Sequence, residues 1–170
     1  MTDEVTCSQC GKVHPLADSE LGFGLPDAIF ALSKEDRSKR CRIQTDVCVL
    51  DRERFFLRGL LPLPVTGRAQ DYRIGVWAEI AGDVYRRIHA LWSDPTQADE
   101  PRLPGILASH LPMNVKESAG LPVWIHLTGP KTRPEFYMRS VHHPLYVEQT
   151  HGIDEHRALE YSDRTRHTSS

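Results

Sequence analysis

The stretch YRIGVWAEI, residues 72–80, constrains the fold more than any other. Tyr72, Ile74, Val76, Ala78 and Ile80 alternate with Arg73, Gly75, Trp77 and Glu79, the two-residue period with which a strand lays one apolar face on a core. The period then changes. In GDVYRRIHALWSDP, Val84, Ile88, Leu91 and Trp92 recur at helical spacing, with Asp83 placed to cap the helix and Pro95 to end it.

The rest of the chain repeats the strand signal in shorter pieces. DVCVLD and RFFLRGLLPLPV are β-branched or apolar runs separated by residues 51–53, which reads as a hairpin, and Pro62 and Pro64 place the end of the second run at a sheet edge. GILASHL, PVWIHLT and EFYMRSV read as three further strands. Residues 27 to 40 suit a short helix or two turns, with Ser33 capping the second half against Asp36. Pro144 stands at a first helical position, Gly152 breaks that helix, and a second short helix reaches about Tyr161. The tail SDRTRHTSS, residues 162–170, reads as disordered. Runs of strands with helices beside them give an α+β class built on a mainly antiparallel sheet, expected as a single domain over residues 1–161. A chain of 170 residues suits one core.

Charge and cysteines narrow the chemistry. A net charge of −2 provides no global field for drawing in nucleic acid, so nucleic acid is not an expected partner. The acidic start MTDEVTC lacks an apolar stretch and no run of membrane-spanning length occurs, so a cytoplasmic location is expected. In that reducing compartment four cysteines serve as thiols or metal ligands rather than disulfides. CSQCGKVHP, residues 7–15, fits three readings: a metal clamp, a redox pair, or ordinary thiols. No apolar helical run follows Cys10, which speaks against the redox reading. A zinc-knuckle-like turn, with Cys7 and Cys10 two residues apart and Gly11 free to take positive φ, meets the local demands of a structural Zn2+ site across residues 5–15. The remaining ligands come singly from His14, Cys48 or Cys41; Cys48 sits within the strand DVCVLD, whereas Cys41 lies at the basic junction KRCRI. The expected set is Cys7, Cys10, His14 and Cys48, with Cys41 the alternative to His14.

Other groupings carry two readings each. Asp46 and Arg58 suit a shared cleft or a cross-strand salt link, and Trp77 a ligand platform or a second core. His143 and Glu148, near His142 and His151, suit an acid/base or metal pair, or a histidine capping the helix that begins at Pro144. The HExxH spacing is absent. Arginines between residues 37 and 58 alternate with acids, the pattern of a solvated, salt-linked surface.

The ordered set CSQCGKVH, FGLPD, Arg37 and Arg40 ahead of DVCVLD, then FFLRGLLPLPV, GVWAEI and HHPLYVEQTHGI resembles the bacterial family called domain of unknown function 2199, from Cys7 to about Glu160. The resemblance implies that Cys7, Cys10, Gly11, His14, Asp46, Cys48, Arg58, Gly59, Trp77, His143, Pro144, Glu148 and Gly152 occupy patterned positions. Cys41 has no counterpart. It implies a small standalone bacterial cytoplasmic protein and no activity. The expected function is a zinc-stabilised, non-enzymatic protein-binding or regulatory module, immunity-like, with another protein as partner. A closed thiolate site leaves no coordination position for water, which disfavours catalysis. The alternative is a small metal-assisted hydrolase using the His143/Glu148 region, in a cleft gathering Asp46, Arg58 and Trp77.

Overall fold

A computed structural model describes residues 4–6, 13–15, 21–111 and 117–168, with side chains described over 21–111 and 117–162. β1 (Glu4–Thr6) pairs antiparallel with β2 (Val13–Pro15), His14 opposite Val5. Cys7, Cys10 and Gly11 lie outside the described residues, as does the His14 side chain. The zinc-knuckle-like turn therefore remains an expectation, framed by the two paired strands.

The main sheet takes shape around β5 (Arg54–Leu63) and β6 (Tyr72–Ile80), which pair along nine registered positions from Phe55↔Ile80 to Leu63↔Tyr72. β7 (Leu103–Leu107), β8 (Pro122–His126) and β9 (Glu135–Met138) continue the antiparallel meander. The sheet then closes. In a meander of five strands the first and last point the same way, so the closing pair, Leu60↔Glu135, is parallel; the Leu60 amide donates to the Pro134 carbonyl at 2.8 Å. Closure also needs Gly59, because a Cβ there would lie 2.4 Å from the Phe136 ring. The ring instead rests on bare backbone.

One edge of β5 is divided between two neighbours. β9 meets it at Leu60, while β4 (Val47–Leu50) pairs with residues 54–57 and carries β3 (Cys41–Ile43) outward as the end of the sheet. Pro62 and Pro64 follow where that edge runs out, the place where a missing N–H costs least. The β4–β5 hairpin turns through Asp51 and Arg52, both at positive φ, with the Glu53 amide on the Leu50 carbonyl. Arg40 grips Asp51 through two hydrogen bonds of 2.9 and 2.7 Å, tying that turn to α2 (Lys34–Arg40).

Two apolar clusters follow from strand parity. The larger fills the barrel with Leu57, Leu61, Ile74, Val76, Val123, Ile125 and Phe136, and is covered by Val84, Ile88 and Leu91 of α3 (Gly82–Leu91) and Ala158 and Tyr161 of α5 (Glu155–Thr168). The smaller holds Ile29, Cys48, Leu50, Phe56 and Trp77 beneath α1 (Asp27–Phe30). Trp77 is buried, and its indole N–H donates to the Phe23 carbonyl at 2.9 Å.

Helix ends show which local signals were decisive. Ser33 caps α2 (Lys34–Arg40), its hydroxyl accepting the Asp36 amide. α3 starts one residue earlier than its expected cap, with Ala81 at the N-cap and no side-chain bond there; Asp83 instead sits in the first turn, where a carboxylate favours the helix dipole. α4 (Pro144–His151) ends at Gly152, at φ 86°. α5 continues to Thr168, beyond Tyr161, where the sequence reading ended it. No helix among the described residues is long and apolar enough to cross a membrane.

Candidate functional site

The β3–β4 hairpin projects from the barrel, and its two faces have different fates. Cys48 and Leu50 point into the smaller cluster, while Val47 and Val49 point the other way and remain half-buried. With Leu57 they form the floor of a cleft of about 610 Å³ whose opposite wall is Tyr85 and Ile88 of α3 and Trp92, its C-cap; Arg42 and Asp46 put both signs of charge on its lining. Tyr85 stacks on Phe55 with ring centroids 4.6 Å apart, which fixes α3 against β5. β3 ends the sheet, so no described strand covers its outer edge.

Arg58 and Trp77 come together on the other face of β5 from the cleft floor, and Asp46, which also lines the cleft, stands beside them, its carbonyl accepting the Arg58 amide at 2.9 Å. The Arg58 guanidinium lies 5.7 Å from the Trp77 ring centroid, one of its terminal N–H groups reaches the Thr45 carbonyl at 3.4 Å, and its Nε is buried without a hydrogen-bond partner among the described residues. Burial, then the positive charge of Arg133, hold Arg58 below the usual arginine range, with Asp46 acting in the opposite direction. Asp46 itself accepts from Arg133 Nε at 3.2 Å.

His143 and Glu148 stand apart from that trio, each in a bonded role. His143 is the N-cap of α4: Nδ1 accepts the Leu145 amide at 3.1 Å and Nε2 faces the Glu117 carbonyl at 3.2 Å. Glu148 takes two bonds from Arg157, at 3.0 and 3.1 Å, and a third from the Tyr161 hydroxyl at 3.0 Å. It ties α4 to α5. Burial works against the Arg157 charge, but Glu148, Tyr161 and Glu160 together outweigh it and hold Arg157 above the usual arginine range, while burial and then Glu148 push the Tyr161 phenol well up. Neither ring nitrogen of His143 is left for a substrate in this arrangement.

Cys48 is buried among apolar side chains, which push its thiol up to about 11, and Cys41 packs against the same cluster. No group of three or more His, Cys, Asp or Glu side chains suited to a metal occurs among the described residues. On this side of the barrel Phe23 bonds to Gly75 and packs against the Cys48 cluster.

A second concavity, of about 490 Å³, lies on the outside of the barrel and was not anticipated. Trp124 on β8 and Tyr137 on β9 are direct cross-strand partners there. The Arg139 guanidinium lies 3.9 Å from the Trp124 ring centroid and that of Arg102 lies 4.3 Å from Tyr137. The alternation of PVWIH and EFYM, with Val123, Ile125, Phe136 and Met138 buried, puts both aromatics on the outer face. That signal was legible in the sequence.

The profile of the bacterial family described as "Uncharacterized protein conserved in bacteria (DUF2199)" matches residues 6–153 of the 170. No curated protein and no solved structure matches the chain.

Proposed function

We propose that this chain, which belongs to the bacterial DUF2199 family, is a non-enzymatic protein-binding module that takes an extended segment of a partner protein, and that zinc stabilises its N-terminal turn. The observation that carries the reading is the cleft between the β3–β4 hairpin and α3, whose apolar floor of Val47, Val49 and Leu57 lies beside the edge of β3 that no described strand covers. A sheet edge offers backbone donors and acceptors for strand addition, and a neighbouring apolar groove supplies side-chain specificity. The hydrolase alternative finds no support, since His143 is occupied as a helix cap and Glu148 as the partner of Arg157.

Zinc belongs to the proposal through Cys7, Cys10, His14 and Cys48. The β1–β2 pairing supports it, because Cys7 directly follows β1 and His14 lies within β2. Cys48 keeps its proton in an apolar setting, so its ligation needs the cation to displace that proton, as metal sites do.

Peptide selection on the purified protein tests the binding half. Enriched sequences should alternate apolar residues, and Val49→Arg should weaken them about tenfold or more, a cost of about 1.4 kcal/mol. Selection that enriches nothing, or binding indifferent to Val49→Arg, would overturn the cleft. Elemental analysis tests the metal: about one zinc per chain is expected, with chelation lowering the melting temperature. A folded, metal-free preparation would remove zinc from the reading and leave the cleft standing.

A further inference from the structure

The outer face of β7, β8 and β9 is an aromatic surface that dips into the second concavity, bordered on one side by Tyr146, Gln149 and Thr150 of α4. Register places Ile106 beside Pro122, Pro104 beside Trp124, and Trp124 beside Tyr137. Ile106 is 49% exposed, and Trp124 and Tyr137 are half-buried. Two exposed arginines, Arg102 and Arg139, lie over these rings, and neither is ion-paired with a described carboxylate. Several arginines elsewhere meet acids: Arg40 with Asp51, Arg54 with Glu79, Arg87 with Glu100 and Arg157 with Glu148.

We propose that this face binds single-stranded nucleic acid, with bases stacked on Trp124 and Tyr137 and phosphates held by Arg102 and Arg139. Every base has a π-face, so a cross-strand aromatic pair is a stacking platform for an unpaired strand laid across a sheet. The arginines now covering the rings are no obstacle. A base–aromatic stack outweighs an exposed cation–π contact by roughly fivefold in binding constant, so a base displaces the guanidinium, and its planar fork of donors is then free to take a phosphate. Charge complementarity selects this occupant over a neutral peptide, since the free cations need an anion and the rings a planar partner. Two carboxylates temper the field: Glu135 accepts from the Tyr137 hydroxyl at 2.9 Å, and Asp71 borders the concavity. With a net charge of −2 there is no long-range attraction to add, so affinity rests on two phosphates and two stacks.

That stoichiometry makes the test quantitative. Fluorescence anisotropy with a labelled oligouridylate or oligothymidylate of about ten nucleotides should show binding that weakens with salt at a slope of about −1.4 in log K against log concentration, as two phosphate contacts require. Arg102→Ala and Arg139→Ala should each bring the slope to about −0.7. Trp124→Leu should weaken binding by about fivefold to a hundredfold, and Trp124→Phe should recover most of it. Unfolding midpoints measured on each variant separate lost binding from lost folding, and Phe keeps the site testable if Leu does not fold. Val49→Arg, on the other face, should leave this binding unchanged. No binding up to about 100 µM at low salt would overturn the proposal, as would a slope unmoved by both arginine substitutions. So would inorganic polyphosphate competing as well as the oligonucleotide, because that would leave the rings without a role.

Discussion

The cleft beside α3 and the outer face of β7–β9 sit on one barrel yet use arginine differently. Along β3, β4 and β5, Arg40 and Arg54 each grip a carboxylate through two hydrogen bonds and Arg133 holds Asp46, Arg58 over Trp77 being the exception. On the β7–β9 face, Arg102 and Arg139 lie on aromatic rings instead. A guanidinium already neutralised by a carboxylate has little left for an outside anion; one resting on a ring keeps its charge and its donors. The difference teaches that neither face's ligand follows from counting basic residues. It follows from what each arginine already touches.

The largest expected effect tests whether the smaller cluster holds the hairpin that makes the cleft. Trp77→Ala removes a buried indole and its bond to the Phe23 carbonyl, and should cost about 3–5 kcal/mol in denaturant unfolding. A loss under about 1 kcal/mol would mean the hairpin stands without that cluster. Next comes Glu148→Gln. It breaks a partly buried ion pair while Glu160 still contacts Arg157, so a loss of about 1–3 kcal/mol is expected; an unchanged unfolding midpoint would reopen a chemical role for Glu148. The third effect concerns salt. Peptide binding in the cleft, lined by both Arg42 and Asp46, should change less than about twofold between roughly 50 and 200 mM salt, in contrast to the steep dependence expected on the other face. Equal salt dependence at both would erase the comparison.

The smallest effect is visible only at high pH. Burial, and then the bond to Glu135, raise the Tyr137 phenol to about 12. The native state thus holds this proton longer than the unfolded chain does. Its contribution to stability is present below the ordinary value of 10 and is lost as pH climbs through about 12. Absorbance titration should show a late-ionising tyrosine that disappears in Tyr137→Phe, with no change at neutral pH. A variant that titrates like the parent would mean that Tyr137 is not held as described.

Much of the fold was legible because its signals are local. The alternation of residues 72–80, the Ser33 cap, Pro144 at the start of α4 and Gly152 at its end all reappear in the structure. Strand β3 escaped notice, since CRI is short, follows the basic pair Lys39 and Arg40, and places Ile43 at an exposed position. Barrel closure escaped for a different reason: it depends on the single pair Leu60↔Glu135 and on a ring lying against Gly59, contacts between residues far apart in the chain. Of the candidate cleft of Asp46, Arg58, Trp77, His143 and Glu148, the structure sets Arg58 over Trp77 and close to Asp46, and places His143 and Glu148 elsewhere, as the N-cap of α4 and within it.

The amino-acid order by itself determined periods, caps and turns, because a two-residue or helical repeat fixes which side chains share a face before any partner is present. It also determined family membership, through motifs spread across residues 6–153. Tertiary structure alone decided that Trp77 is core rather than platform, that Trp124 and Tyr137 are neighbours, and which arginines have no carboxylate partner among the described residues. The physical reason is that exposure and pairing depend on what folds against a residue. In a closed barrel that neighbour comes from a strand whose identity only the closure specifies.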